Sequence, residues 1–221
     1  MKAMRKPLQR VGEQRVTLDL GTLGLRERKL RAVREAIWTA AMDLFAASGY
    51  DKTTVEDIAQ AVGISLRSFF RYFMSKGDLM SFALVLYGEQ LAAAIDACPA
   101  NHSLREVFRE SISKVANAGL SSESRTRRHL DILRLSAAAA AAEMSRLSEV
   151  QARVADAYER RLPLAPESTL TAGVMAALSI QTTGVAVRWC LDRGEPNAAN
   201  AMNYVLGGME SAFCDKKPRR N

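Results

Sequence analysis

Arg67, Ser68, Arg71, Tyr72 and Lys76 stand within ten residues of one another, and two further hydroxyls, Thr54 and Ser65, lie just upstream. Guanidinium and ammonium groups are charge-assisted donors to phosphate oxygens, and arginine also offers a fork that matches the O6 and N7 edge of guanine. Hydroxyls add donors to the nucleic-acid backbone. The set is rich in donors and contains no acid–base pair, so it suits holding a polyanion rather than breaking a bond. Elsewhere the two histidines, His102 and His129, are far apart, and no motif organises the Ser, His and Asp residues. No catalysis, metal or cofactor is expected.

Such donors need a rigid frame, and residues 53 to 79 spell one. Thr54 and Asp57 have the spacing of a capping box, which starts a helix at Val55. Val55, Ile58, Ala59 and Val62 then form one apolar stripe. Gly63 ends that helix with a sharp turn, Ser65 is the next N-cap, and Leu66 to Phe73 makes a short second helix. Ser75 and Asp78 repeat the capping spacing and open a third. Two helices across a Gly-containing turn form the helix-turn-helix pattern, whose second helix enters the DNA major groove. On that helix Arg67, Ser68, Phe69 and Arg71 are the candidates for base edges; Phe69 is equally a core candidate, and Phe73 is expected in the core. Before this frame, Leu30, Val33, Ile37, Ala41, Leu44 and Phe45 give a bracing helix from Arg26 to Ala47. Its early cations Arg28, Lys29 and Arg31 oppose the helix dipole, as either a solvated face or a phosphate contact.

The run from Arg34 through Leu79 resembles the DNA-binding domain of TetR-family transcriptional repressors. Phe45, Gly49, Tyr50, Thr53, Thr54, Ile58, Ala59, Gly63, Ser65, Tyr72, Phe73, Lys76 and Leu79 are all in register over about 50 residues. Two positions depart from the pattern. Phe70 stands where the family commonly has a tyrosine, which removes a phosphate contact, and Arg67 stands where a small residue is common, which adds a cation at the groove. The resemblance assigns Thr54, Tyr72 and Lys76 to phosphate, with Ser65 and the helix N-terminus assisting.

Charge agrees with one-ended contact to nucleic acid. The formal charge is +7, and residues 1–76 hold 14 Lys and Arg against 8 Asp and Glu. Cys98, Cys190 and Cys214 are odd in number and widely spaced, which suggests reduced thiols and a cytoplasmic protein. The apolar stretch 171 to 191 is interrupted by Gln181, Thr182, Thr183 and Arg188, so no membrane partner is expected.

The expected fold is all-α, about nine helices. Residues 1–24 form a basic arm, either disordered or tracking the DNA through Lys2, Arg5, Lys6, Arg10 and Arg15. Residues 25–76 form the DNA-binding domain, 77–215 a ligand-binding and dimerisation domain, and 216–221 a basic tail. Within 77–215, helices are expected over 76–97, from the Ser103 cap to Leu120, from Arg125 to Leu162 as one or two helices after a polar break at SSESR, and over Ser168–Asp192 and Asn197–Phe213. The alanine run 137–142 reads as close-packed helix or as room for a ligand.

Ala172, Gly173, Ala176, Ala177, Gly184, Ala198, Ala201, Gly207 and Gly208 let the last two helices approach a second copy, and the resemblance likewise implies a homodimer through them. A two-fold places recognition helices about 34 Å apart, so the operator in double-stranded DNA should be palindromic. The resemblance further implies a small-molecule effector. GLRERK, RSFFRYFMSK and AVRWCLDRGEPN are similar to an actinobacterial subset of the family, which implies acyl-coenzyme A or another hydrophobic ligand. Phe82, Leu86, Phe108, Ile112, Leu133, Ala137, Val185 and Trp189 are the pocket candidates, with Arg125, Arg127 and Arg128 at its mouth; ordinary core and a solvated surface patch are the alternatives. An effector-independent DNA-binding or architectural protein, or an activator, also fits the sequence.

Overall fold

The computed structural model describes residues 24–213, and every element among them is helical. The N-terminal arm with its five named cations, Cys214 and the tail 216–221 lie outside those residues. Ten helices follow one another: α1 Leu25–Ser48, α2 Val55–Ala61, α3 Leu66–Tyr72, α4 Lys76–Asp96, α5 Leu104–Leu120, α6 Glu123–Leu135, α7 Ala137–Met144, α8 Leu147–Glu159, α9 Pro166–Arg193 and α10 Ala198–Phe213.

The starts of α2, α4 and α5 follow local chemistry. Thr54, Ser75 and Ser103 each accept from the backbone N–H three residues on, which satisfies a donor the helix itself leaves open. The segment 125–162 differs from the expectation of one or two helices, because it contains parts of three. Ser136 adopts an extended backbone between α6 and α7, caps α7 by accepting from Ala139 N–H, and donates to Asp51 at 3.1 Å. A second break at Ser145–Arg146 separates α7 from α8. Neither break contains Gly or Pro, and of the SSESR stretch only Ser121 and Ser122 form a turn, Glu123 to Arg125 already belonging to α6.

Packing divides into three clusters. The first gathers α1–α3 around Ile37, Phe45, Ile58, Phe69 and Phe73, and it continues past residue 76 into Leu79, Met80 and Phe82 of α4, Ile132 of α6 and Ala139 of α7. The second joins α4, α5, α8 and α9 around Leu91, Ile95, Ile112, Val154, Tyr158 and Ala176. The third binds α5 to α9 and α10 through Ala116, Val187, Cys190 and Ala201. In the second cluster, a β-carbon added at Gly88 would lie 2.5 Å from Val150 Cγ1, so α4 and α8 touch there because glycine leaves the room.

Hydroxyls are buried in that same cluster. Tyr158 Oη is 2.8 Å from Ser179 Oγ, and Tyr87 donates to the Ser179 carbonyl at 3.3 Å. Burial pushes both phenols above the ordinary tyrosine range. At the far end of α4, Arg161 donates to the carbonyls of Ile95, Cys98 and Pro99, closing off acceptors that the helix terminus leaves open. Helix α9 is long and apolar enough to cross a bilayer by length and composition, but it packs in the monomer against α5, α8 and α10.

Candidate nucleic-acid interface

The candidate donors rest on α2, α3 and the first turn of α4. The Thr54–Asp57 box is closed in both directions: Thr54 N–H donates to Asp57 Oδ2 at 2.8 Å, and Asp57 N–H donates to Thr54 Oγ1 at 3.1 Å. The Thr54 hydroxyl also donates to Asp57 Oδ2 at 2.7 Å, and that bond, with the one from Thr54 N–H, holds the Asp57 carboxyl below the usual carboxylate range. Gly63 then takes φ of 70°, a left-handed value that a side chain would disfavour, and the chain turns into the next helix. Ser65 Oγ caps α3 by accepting from Ser68 N–H at 3.1 Å, with Ser68 Oγ 3.0 Å away. Both hydroxyls therefore sit at the N-terminus of α3, where the helix dipole favours an anion.

The inner side of α3 is apolar. Phe69 is 0% exposed and packs edge-to-face on Phe70 and obliquely on Phe73, so it is core and not a base contact. Phe73 is buried, as expected. Facing outward are Arg67, Phe70 and Arg71, which fall at i, i+3 and i+4 and continue into exposed Met74. Phe70 was missing from the candidates, although its spacing from Arg67 and Arg71 puts it on their face. Arg67 extends without a partner among the described residues. Arg71 is tethered: it donates to Tyr72 Oη at 2.8 Å and lies over that ring at 4.9 Å.

Lys76 is engaged within the chain. Its Nζ donates to the carbonyls of Tyr50 at 2.7 Å and Thr53 at 3.0 Å, and it lies 4.2 Å from the centre of the Tyr50 ring. Two of its three donors are thus spent fastening the α1–α2 loop to α4, which fixes the position of the α2 cap. On α1, Arg31 pairs with Glu35 at 3.2 Å, and Arg28 and Lys29 are exposed.

The eight pocket candidates are divided among three clusters and the surface. Phe82, Leu86 and Leu133 belong to the first cluster, Phe108 and Ile112 to the second, and Trp189 to the third; Val185 and Ala137 are exposed. The arginines proposed for a pocket mouth are engaged within the chain. Arg125 donates to Ser122, Arg127 to Glu123 and the Leu191 carbonyl, and Arg128 to Asp43 of α1. Two surface clefts stand elsewhere. One, of about 490 Å³, lies between α5 and α10 and is lined by Arg105, Arg109, Asn203 and Glu210; the other, of about 390 Å³, lies between α1 and α2 beside Lys52 and Asp57.

A capped helix-turn-helix whose second helix turns two arginines outward, set on an all-helical body, is the arrangement of the helix-turn-helix class of DNA-binding folds. The sequence profile of bacterial regulatory proteins of the tetR family matches residues 37–81. The chain is 38% identical over 101 residues to the HTH-type transcriptional regulator TcmR of Streptomyces glaucescens, a match covering 44% of this chain and 45% of TcmR. It thus spans less than half the length of the curated relatives it matches first. The fold is shared with NalD of Pseudomonas aeruginosa, described as the secondary repressor of the MexAB-OprM multidrug efflux pump: TM-score 0.52, 18% identity, 83% of this chain and 96% of that one. It is also shared with a transcriptional regulator of Rhodococcus sp. Rha1, at TM-score 0.51 and 16% identity over 81% and 96% of the two chains. Residues 37–81 are thus similar to the DNA-binding region of tetR-family bacterial regulatory proteins, and the described helices share the fold of solved regulators. These relatives are named as regulators and not as enzymes, in agreement with the donor-only chemistry of the site.

Proposed function

We propose that this protein is a cytoplasmic transcriptional repressor that binds a palindromic operator as a homodimer and is released by a small hydrophobic effector. The observation that carries the DNA-binding reading is the outward face of α3, where Arg67, Phe70 and Arg71 stand on a helix whose other side is locked into the core. In this reading Arg67 and Arg71 approach base edges. Thr54, Ser65, Ser68 and Tyr72 contact phosphate, and Lys76 positions the loop that carries Thr54. Repression is supported by a relative 39% identical over 69 residues, the HTH-type transcriptional repressor Rv1474c of Mycobacterium tuberculosis.

The dimer reading is supported by an unpartnered face on the last two helices. Leu170, Val174 and Val185 of α9 and Tyr204 of α10 are exposed, and the β-carbon directions of Gly173, Gly184, Gly207 and Gly208 point into open space. Of the other small residues named for that role, Ala172, Ala176, Ala198 and Ala201 pack inward within the monomer, and Ala177 is partly exposed. Bulky and small residues alternating on an outer face suit two helix pairs packed across a two-fold.

An effector would have to part helices that are closed on one another around Tyr158 and Ile112, both 0% exposed. That closed packing favours effector-independent binding as the second reading. Titration of labelled DNA from upstream of the protein's own gene, at two salt concentrations and with or without long-chain acyl-coenzyme A, separates the two. Specific, salt-sensitive binding released by the thioester supports the full reading. Binding that no thioester disturbs removes that ligand, and no preference over random DNA contradicts an operator at that locus.

A further inference from the structure

Phenylalanine is otherwise an interior residue in this chain. Phe45, Phe69, Phe73, Phe82 and Phe108 are buried, whereas Phe70, in the middle of α3, is 52% exposed. It has apolar company on the surface. Leu66, one turn earlier on the same helix, is 38% exposed, and Met74, just past the C-cap Phe73, is 81% exposed. Single apolar side chains on a surface need no explanation, but three within nine residues, two of them adjoining at i and i+4, mark a place of contact.

The neighbours of Phe70 narrow what makes that contact. Arg67 and Arg71 are exposed on the same outward face. An apolar protein surface laid here would strip water from two guanidinium groups with nothing to replace it. A polyanion that carries an apolar group among its polar edges satisfies both. In the DNA major groove that group is the C5-methyl of thymine, against which a phenyl ring packs. The ring is also held ready. It meets Phe69 edge to face with centroids 5.6 Å apart, and Phe69 is 0% exposed and leans on Phe73. Little freedom is then left to lose on binding. The Arg71 guanidinium is drawn toward Tyr72, lying over that ring at 4.9 Å, and Phe70 stays open. A phenyl ring has no hydroxyl to give a phosphate, so carbon is all it offers.

We propose that Phe70 is a specificity-determining residue that recognises the 5-methyl group of one thymine in each half-site, close to the base edge that Arg67 approaches. Three residues of helix separate Arg67 from Phe70 by about 4.5 Å along the axis. Base pairs follow one another at about 3.4 Å, so the thymine lies within about two base pairs of the base that Arg67 contacts. This inference rests on the DNA-binding reading and adds to it the chemical group that is recognised.

The test uses the full chain and duplexes that differ by a single methyl. A duplex is enriched by the protein from a random-sequence pool, and each thymidine in it is replaced in turn by deoxyuridine, which keeps the O4 acceptor and the base pairing. Wild type, Phe70→Ala and Phe70→Leu are titrated against that series. The expected result is one thymine per half-site whose methyl gives wild type about fourfold in affinity, the factor that burial of one such carbon supplies. The factor falls to near one in Phe70→Ala and is intermediate in Phe70→Leu. The slope against log salt is the same in all three, because no charge has changed. An enriched duplex indifferent to its thymine methyls overturns the proposal. So does a methyl effect that survives in Phe70→Ala, which would make Phe70 a support for the helix alone. Failure to enrich any duplex contradicts the DNA-binding reading itself and takes the proposal with it, so the two failures are told apart.

Discussion

At the scale of single residues, the site divides into groups that reach outward and groups that hold them. Thr54 is bound in both directions to Asp57, so Thr54→Ala is expected to cost about 1 kcal/mol of stability through the lost cap, read from denaturant unfolding. Lys76 invites the opposite of a simple phosphate role. Because its ammonium is committed to two carbonyls, Lys76→Ala should destabilise the fold by roughly 1.5–3 kcal/mol. It should weaken DNA binding with the slope against log salt unchanged; a slope reduced by about one would instead make it a phosphate contact. The sequence spelled the caps at Thr54, Ser65, Ser75 and Ser103 because capping is chemistry between near neighbours. It did not reveal what occupies Lys76 or Arg125–Arg128, whose partners include Tyr50, Leu191 and Asp43, each brought near only by folding.

At the scale of elements, periodic patterns located the helices with apolar stripes and failed where helices are divided without Gly or Pro. The breaks at Ser136 and Ser145 interrupt a segment that propensity alone would continue, and Ser136 is extended because its hydroxyl bridges the start of α7 and Asp51. The pocket candidates fall into three clusters for a related reason. Inward-facing residues on separate helices read alike in sequence, whichever cluster they join. Gly88 was likewise silent, since a glycine within a helix does not announce the neighbour it admits. Gly88→Ala should cost about 1–3 kcal/mol in unfolding measurements, because the new methyl would overlap Val150. Adding Val150→Ala should recover part of that loss, and no recovery would locate the strain elsewhere.

At the scale of the whole molecule, the body is a helical scaffold that holds two hydroxyl-bearing tyrosines in its centre. Their phenols are favoured in the neutral form by burial, so folding stability from this source is complete below the ordinary tyrosine value and is lost as pH rises past about 10. Tyr87→Phe should lessen that alkaline loss, as followed by circular dichroism across pH 8 to 11. The all-helical class and the helix-turn-helix were legible because that motif is local in sequence and dense in caps and turns. The proposed dimer face was legible only as composition, since four of the nine small residues named for it pack inward.

The most direct test of the central claim is selection of duplexes from a random-sequence pool by the full-length protein, followed by sequencing. The account predicts an enriched inverted repeat with half-sites about one helical turn, 10–10.5 base pairs, or a multiple of that apart, and a base preference that changes in Arg67→Ala. Enrichment of no sequence, or of a single half-site bound by a monomer, would contradict it.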